Sequence, residues 1–217
     1  MKNKITFKPL LYFALTLFPL LVVCILFSSL PEKIPMHYNF YGEINRWGTR
    51  YEVFLLPIIT IIFAFIFRLG KFTKNNIANA NPYDALGLGF LFIFNLFNFI
   101  FLYYCFYPRI FGSTNLINAI LCIIFIFLGN FFPKLKQNSF IGIKIYWTLK
   151  NETVWYKTHR LGGIVWVIGG SIMLLLCLFF PNVNSNIVML VGLAIITIIP
   201  LVYSYVIYKK LIINLNE

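Results

Sequence analysis

The chain has 217 residues, of which 60% are apolar and 11% charged, and its mean hydropathy is +0.84. A soluble domain is about 45–50% apolar and about 25% charged. The composition therefore excludes a soluble globule, a disordered chain, a coiled coil and a collagen-like fibre. The net charge of +12, from 18 Lys and Arg against 6 Asp and Glu, then belongs to a chain that is mostly surrounded by lipid.

Six tracts that carry no charged residue, apart from Arg68 near the end of the second, are long enough to cross a membrane. A transmembrane helix needs about 20 mostly apolar residues to span a hydrocarbon core about 30 Å thick. The first tract follows three lysines, as in a signal peptide, but it is longer than the usual apolar run of about 7–15 residues. We therefore expect a retained helix. The predicted spans are residues 10–30, 53–69, 85–108, 114–132, 161–180 and 187–208.

The basic residues are unevenly distributed over the loops between these spans. With six spans, 14 of the 18 Lys and Arg fall on one side of the membrane and the other 4 on the opposite side. The positive-inside rule places the richer side in the cytoplasm. The sequence thus predicts an all-α, polytopic protein of a bacterial cytoplasmic membrane, with both termini inside. Attraction to anionic lipid, about 1 kcal/mol for each basic residue, explains the net charge without a nucleic-acid partner.

The spans themselves carry few polar residues. Cys24, Cys105, Cys122 and Cys177 lack CxxC spacing, which predicts packing residues rather than a disulfide framework. Intramembrane amides recur at a spacing of three, and we expect them to hydrogen-bond between helices; they are Asn95, Asn98, Asn115 and Asn118. No motif of a hydrolase, a metalloprotease or a nucleotide-binding enzyme is present. We expect no enzymatic activity, no cofactor and no metal.

The loop at residues 31–52 is longer and richer than a plain connector. Two prolines favour extended backbone, and residues 36–40 predict a short strand that leads into a turn at Gly42 and Glu43. The loop is either a structured lid that binds a ligand or partner, or a cap on its own helix ends. His37 and Glu43 alone provide too few ligands for a metal site. The candidate ligand-sensing residues are Pro31, Pro35, His37, Gly42, Trp47 and Gly48.

This loop resembles a short N-terminal membrane module, of unassigned chemistry, that precedes many bacterial membrane proteins. The module has the pattern Leu-Pro-x-x-Ile-Pro-x-His, followed by Gly and then Trp-Gly. Leu30 and Ile34 match it together with the six candidate residues. The resemblance and the helix pattern predict two domains, with the module at residues 1–80 and a four-helix membrane region at residues 81–217.

The second rich segment lies between the fourth and fifth spans. Thr148 or Asn151 can cap a helix start, and Glu152 suits the first turn. Helical spacing places Glu152, Trp155 and His159 on one face, which predicts an amphipathic cytoplasmic turn that continues into the fifth span. Glu152 is then either a local charge balancer or part of a partner site. His159 with Arg160 is either an interfacial anchor or part of that same site.

This segment resembles the SdpI-type immunity family, whose members protect a bacterium from its own sporulation-delaying peptide toxin. The family pattern is Gly-Asn-x-x-Pro-Lys, then Phe-Ile-Gly-Ile-Arg, Thr-Pro-Trp-Thr-Leu and Glu-x-x-Trp-x-x-x-His-Arg-x-Gly-Gly. Lys144 replaces the usual Arg, and Ile145-Tyr146 replaces Thr-Pro. The candidate signalling or partner residues are Asn130, Pro133, Phe140, Gly142, Lys144, Trp147, Thr148, Glu152, Trp155, His159 and Arg160.

The resemblance implies a membrane immunity protein that neutralises a secreted antimicrobial peptide. It also implies capture of a cytoplasmic winged-helix repressor when toxin is present. We expect toxin sensing in the loop at residues 31–50 and the cytoplasmic readout at residues 140–160, within a motif loop at residues 133–160. The alternatives are a small-solute or lipid transporter and a structural subunit of a membrane complex. No charge lies deep inside a span, which disfavours an ion-coupled transporter.

Overall fold

The fold is helical, with one small hairpin. A computed structural model of the chain describes residues 7–71, 80–108, 115–180 and 183–216. Two antiparallel strands, β1 (Lys33–Tyr38) and β2 (Ile44–Thr49), pair between the first two helices. The helices are α1 (Phe7–Leu26), α2 (Leu55–Lys71), α3 (Ala80–Phe106), α4 (Asn115–Phe131), α5 (Tyr146–Lys150), α6 (Glu152–Phe179) and α7 (Ser185–Asn216).

Six of these helices are long and apolar enough to cross a membrane, namely all except α5. The predicted all-α, polytopic membrane fold is therefore confirmed. The helix bounds differ from the prediction where the backbone stays helical beyond the apolar tract. Helix α6 begins at Glu152 instead of residue 161, as the predicted amphipathic turn requires, and helix α7 continues to Asn216.

The hairpin also shifts the start of the second span. A short 3-10 helix, Arg50–Phe54, leads from β2 into α2, so α2 begins two residues later than predicted. Pro57 then lies in the first turn of α2, where proline costs no intrahelical hydrogen bond. Pro19 and Pro200, in contrast, lie inside α1 and α7.

The first of two compact units comprises α1, α2, α3 and the hairpin. Asn95 Nδ2 donates to the Leu15 carbonyl of α1 at 2.8 Å, and Asn98 Nδ2 donates to Thr60 Oγ1 of α2 at 3.2 Å. These bonds join α3 to both neighbours, as the spacing of the amides predicts. The unit's core is Val23, Leu30, Ile34, Val53, Leu102 and Cys105.

The second compact unit comprises α4, α5, α6 and α7. Helices α4 and α6 approach closely at Gly129 and Gly163, since a Cβ on Gly163 would lie only 2.7 Å from the Gly129 carbonyl oxygen. Asn118 Nδ2 of α4 donates to Ser185 Oγ of α7 at 3.0 Å. The core is Ala119, Cys122, Met173, Cys177 and Ile196. The domain division after residue 80 follows sequence motifs and stays a prediction, whereas contacts group α3 with the first unit.

Candidate functional site

The loop at residues 31–50 folds as an irregular β-hairpin. Ile34 pairs with Gly48 and Pro35 with Trp47, and the register shifts around His37, which pairs with Arg46. The sequence predicted one strand and the turn, but not the second strand. Strand β2 contains an Asn, an Arg and a Gly and has no alternating apolar pattern, so its pairing depends on the partner strand.

The turn of the hairpin is organised by one asparagine. Asn39 Oδ1 accepts hydrogen bonds from the backbone N–H groups of Tyr41 and Glu43, both at 2.9 Å, while its Nδ2 donates to Glu43 Oε2 at 2.8 Å. Gly42 has a φ of 82°, which glycine adopts without steric cost. The predicted turn at Gly42 and Glu43 is confirmed.

The base of the hairpin is fixed by a carboxylate. Glu52 Oε1 accepts from the Thr49 N–H at 3.0 Å, and Oε2 accepts from Arg46 Nη2 at 2.7 Å. A Cβ on Gly48 would collide with the Glu52 carboxylate and the Met36 side chain. Gly48 is therefore the residue that lets Glu52 reach back to the strand, and a small residue is required there by packing.

The six candidate residues of the hairpin divide into two groups. Pro35, Gly42 and Gly48 are buried and shape the backbone, whereas Pro31, His37 and Trp47 are exposed. His37 Nδ1 donates to Asn45 Oδ1 at 2.6 Å. No hydrogen bond joins His37 to Glu43 in the described part of the chain, and no group of three metal-binding side chains occurs among those same residues.

Aromatic rings cover the exposed surface of the hairpin and its base. Tyr41 is 77% exposed, and Phe40, Trp47 and Tyr51 are also exposed. Tyr38 behaves differently, because burial and the ring of Tyr104, 5.8 Å away, raise its pKa to about 12. The hairpin thus has an aromatic surface suited to apolar or peptide ligands.

The second candidate segment, residues 133–160, folds onto the start of α6. Trp155 and His159 stack with ring centroids 4.0 Å apart, and both are 1% exposed. Trp155 Nε1 donates to the Leu135 carbonyl at 2.8 Å, and His159 Nε2 accepts from the Ile143 N–H at 2.9 Å. The second ring nitrogen of His159, Nδ1, is thereby left to donate to the Trp155 carbonyl at 2.8 Å.

This stacked pair also explains a glycine in the loop. Gly142 has a φ of 128°, and a Cβ there would lie 2.5 Å from His159 Nε2 and 2.8 Å from the Trp155 ring. Nearby, the buried Thr148 donates from Oγ1 to the Ile143 carbonyl at 2.7 Å. Four of the candidate residues therefore hold the loop in one conformation, namely Gly142, Thr148, Trp155 and His159.

Trp147 fastens the short helix α5 to α7. Its Nε1 donates to Ser204 Oγ at 2.7 Å, and its ring stacks on Tyr208 with centroids 6.2 Å apart. Gln137 adds two bonds from Nε2, to the Thr148 and Leu149 carbonyls at 2.7 and 2.8 Å. Sequence analysis missed Ser204 and Gln137, because neither has a local signal; each acts only through a distant partner.

The remaining candidate residues of this segment reach the surface. Asn151 caps α6 by accepting from the Val154 N–H at 3.0 Å, and the adjacent Glu152 is exposed rather than on the buried face with Trp155. Lys144 donates from Nζ to the Ser139 carbonyl at 3.3 Å. Phe140 is half-buried, and the exposed candidates are Asn130, Pro133, Lys144, Glu152 and Arg160.

Two protein-family models match the chain, and each match includes all or most of one of these two candidate segments. The model of the SdpI/YfhL protein family matches residues 134–204, which include most of the second segment, α6 and half of α7. This match covers 71 of the 217 residues, about a third of the chain. A domain of unknown function (DUF1648) matches residues 14–61, which include the hairpin.

One curated protein resembles the chain along nearly its whole length. The immunity protein SdpI of Bacillus subtilis (strain 168) is 29% identical over 192 residues, which cover 86% of this chain and 89% of the relative. No solved structure matches the chain. This likeness and the six apolar helices together identify a multi-pass membrane protein.

Proposed function

We propose that this chain is an immunity protein of the bacterial cytoplasmic membrane that protects its host from a secreted antimicrobial peptide toxin. The observation that carries the proposal is the likeness to an immunity protein over 89% of that relative. Protection requires binding or exclusion of the toxin at the membrane and no chemical step. Both termini then lie in the cytoplasm, and the hairpin lies outside, where a secreted peptide arrives.

The hairpin is the proposed toxin-facing surface. Tyr41 is exposed at the turn and Trp47 on β2, and aromatic side chains are enriched where proteins bind peptides and other proteins. The bonds of Asn39 and Glu52 fix the backbone beneath them. A rigid aromatic surface loses little conformational entropy on binding, which supports recognition of an apolar peptide.

Survival of a toxin-sensitive strain tests this proposal. Cells that express the chain, and cells that express the Bacillus subtilis relative as positive control, are exposed to the sporulation-delaying peptide. We expect both to survive. Tyr41→Ser combined with Trp47→Ser should lower the highest toxin concentration that the cells survive by about tenfold or more, because loss of aromatic anchors weakens binding at interfaces.

A matched control separates recognition from general damage. Tyr146→Ser also removes an exposed aromatic ring, 63% exposed, but lies outside the hairpin and should leave protection unchanged. Membrane levels of all variants are compared by immunoblot. Sensitivity of cells that contain normal amounts of the unaltered chain would contradict the immunity function for this toxin.

We further propose that the segment at residues 133–160 docks a cytoplasmic winged-helix repressor when toxin is bound. The buried Trp155, His159 and Thr148 support the loop, and Lys144 and Glu152 offer exposed charges of both signs. A fluorescent repressor encoded beside the immunity gene should move to the membrane on toxin addition. Lys144→Gln with Glu152→Gln should abolish that movement and leave survival intact; unchanged recruitment would exclude these two charges as the docking site.

A further inference from the structure

A groove lies between the beginning of α6 and the end of α7, and neither the hairpin nor the proposed docking charges Lys144 and Glu152 are part of it. Its volume is about 560 Å³, within the range of about 300–1,000 Å³ that is usual for small-molecule sites. Both helices belong to the second unit. The lining residues are Tyr156, Lys157, Arg160, Leu161, Ile164, Tyr203, Val206, Ile207 and Lys210.

The groove is basic at one end and apolar at the other. Lys157 and Arg160 line it from the beginning of α6, and Lys210 lines it from the end of α7. Ile164 forms the wall at the other end. It lies seven residues after Lys157, which is about 10 Å along α6 at 1.5 Å per residue. No carboxylate lines the groove, and within the described residues none of the three cations forms an ion pair.

We propose that this groove binds an anionic phospholipid, with the phosphate at Lys157, Arg160 and Lys210 and an acyl chain along Leu161 and Ile164. Three cations without a carboxylate complement a phosphate, and basic pockets between transmembrane helices bind anionic headgroups. The apolar end lies within a membrane-spanning helix, at the depth of acyl chains. A soluble anion leaves that end unfilled, and an acidic peptide bound there would bring polar backbone to lipid depth.

Direct lipid binding to the purified full-length chain tests the assignment. The chain in a neutral detergent is titrated with fluorescent phosphatidylglycerol and, separately, with fluorescent phosphatidylcholine. We expect tighter binding of phosphatidylglycerol. The triple variant Lys157→Gln, Arg160→Gln and Lys210→Gln should weaken phosphatidylglycerol binding by about tenfold or more, since each basic residue contributes a several-fold attraction, and should leave phosphatidylcholine binding unchanged.

A second triple variant supplies the matched control. Lys134→Gln, Lys136→Gln and Lys150→Gln remove the same charge from exposed positions outside the groove and should preserve phosphatidylglycerol binding. An equal loss in both triple variants would overturn the site, because it would indicate unspecific attraction. Lys210→Gln alone should weaken binding several-fold, which keeps the test valid if the triple variant misfolds.

Two competitors distinguish the other occupants. Inorganic phosphate and a poly-glutamate peptide, each at millimolar concentration, should fail to displace phosphatidylglycerol at fixed ionic strength. Displacement by phosphate would assign the site to a soluble anion, and displacement by the peptide would assign it to an acidic protein segment; either result overturns the proposal. Survival under toxin is not measured, so this test and the immunity test fail independently.

Discussion

Trp155 and His159 show how a family motif can serve structure rather than contact with a partner. Their residue types and spacing indicated either a partner site or an interfacial anchor. Both side chains are buried, and each holds one end of the preceding loop through a hydrogen bond to its backbone. Loss of either residue would therefore impair the protein through its folding, so survival data on such variants alone do not identify a binding site.

At Gly142, a single methyl group should disturb this arrangement. Gly142→Ala places a Cβ against His159 and requires a φ of 128° from an L-residue. We expect a loss of about 1–3 kcal/mol in the free energy of unfolding, measured as a lower thermal unfolding midpoint in detergent. Ser139→Ala, at an exposed position of the same loop, serves as control; equal midpoints for the two variants would contradict the packing argument.

Removal of one buried N–H should have a similar effect. Trp155→Phe keeps an aromatic ring but leaves the Leu135 carbonyl without its donor, which costs about 1–3 kcal/mol. Trp47→Phe makes the same change at a side chain that is 49% exposed and should change the free energy of unfolding by about 0.5 kcal/mol or less. A larger effect at Trp47 than at Trp155 would refute the assigned roles.

At the scale of elements, α6 depends on the way in which it begins. Its sequence allowed a start at Thr148 or Asn151, and the structure divides the two roles. Thr148 bonds within the loop and α5, while Asn151 caps α6. The continuous helix from Glu152 to Phe179 then joins the buried end of the motif segment to a membrane span.

The helix cap provides a graded test. Asn151→Ala should destabilise the chain by about 0.5–2 kcal/mol, whereas Asn151→Asp keeps the acceptor and should be nearly neutral. Thermal unfolding of the three proteins in the same detergent measures the difference. If Asp and Ala reduce the midpoint equally, the Val154 N–H does not depend on the side-chain oxygen.

At the scale of the whole molecule, the charge distribution and the number of helices predict the orientation of the chain in the membrane. Six spanning helices and a strong bias of Lys and Arg to alternate loops predict cytoplasmic termini. A reporter that is active only outside the cytoplasm should be active when fused at Gly42. A reporter that is active only in the cytoplasm should be active when fused after Gln137. The opposite pattern would reverse the sides of both candidate segments and remove the hairpin from the path of a secreted toxin.

The sequence by itself determined the membrane fold, because apolar tract length and charge gaps depend only on local composition and on the thickness of a bilayer. It also indicated the resemblance to the SdpI-type immunity family, through motifs at fixed spacing. Tertiary structure decided which motif residues are accessible: the pairing of β2, the bonds that join Trp155 to Leu135 and Ile143 to His159, and the Trp147–Ser204 bond each connect residues that local patterns cannot. The basic groove depends on the same physical reason, since Arg160 and Lys210 are 50 positions apart and only helix packing brings them to one site.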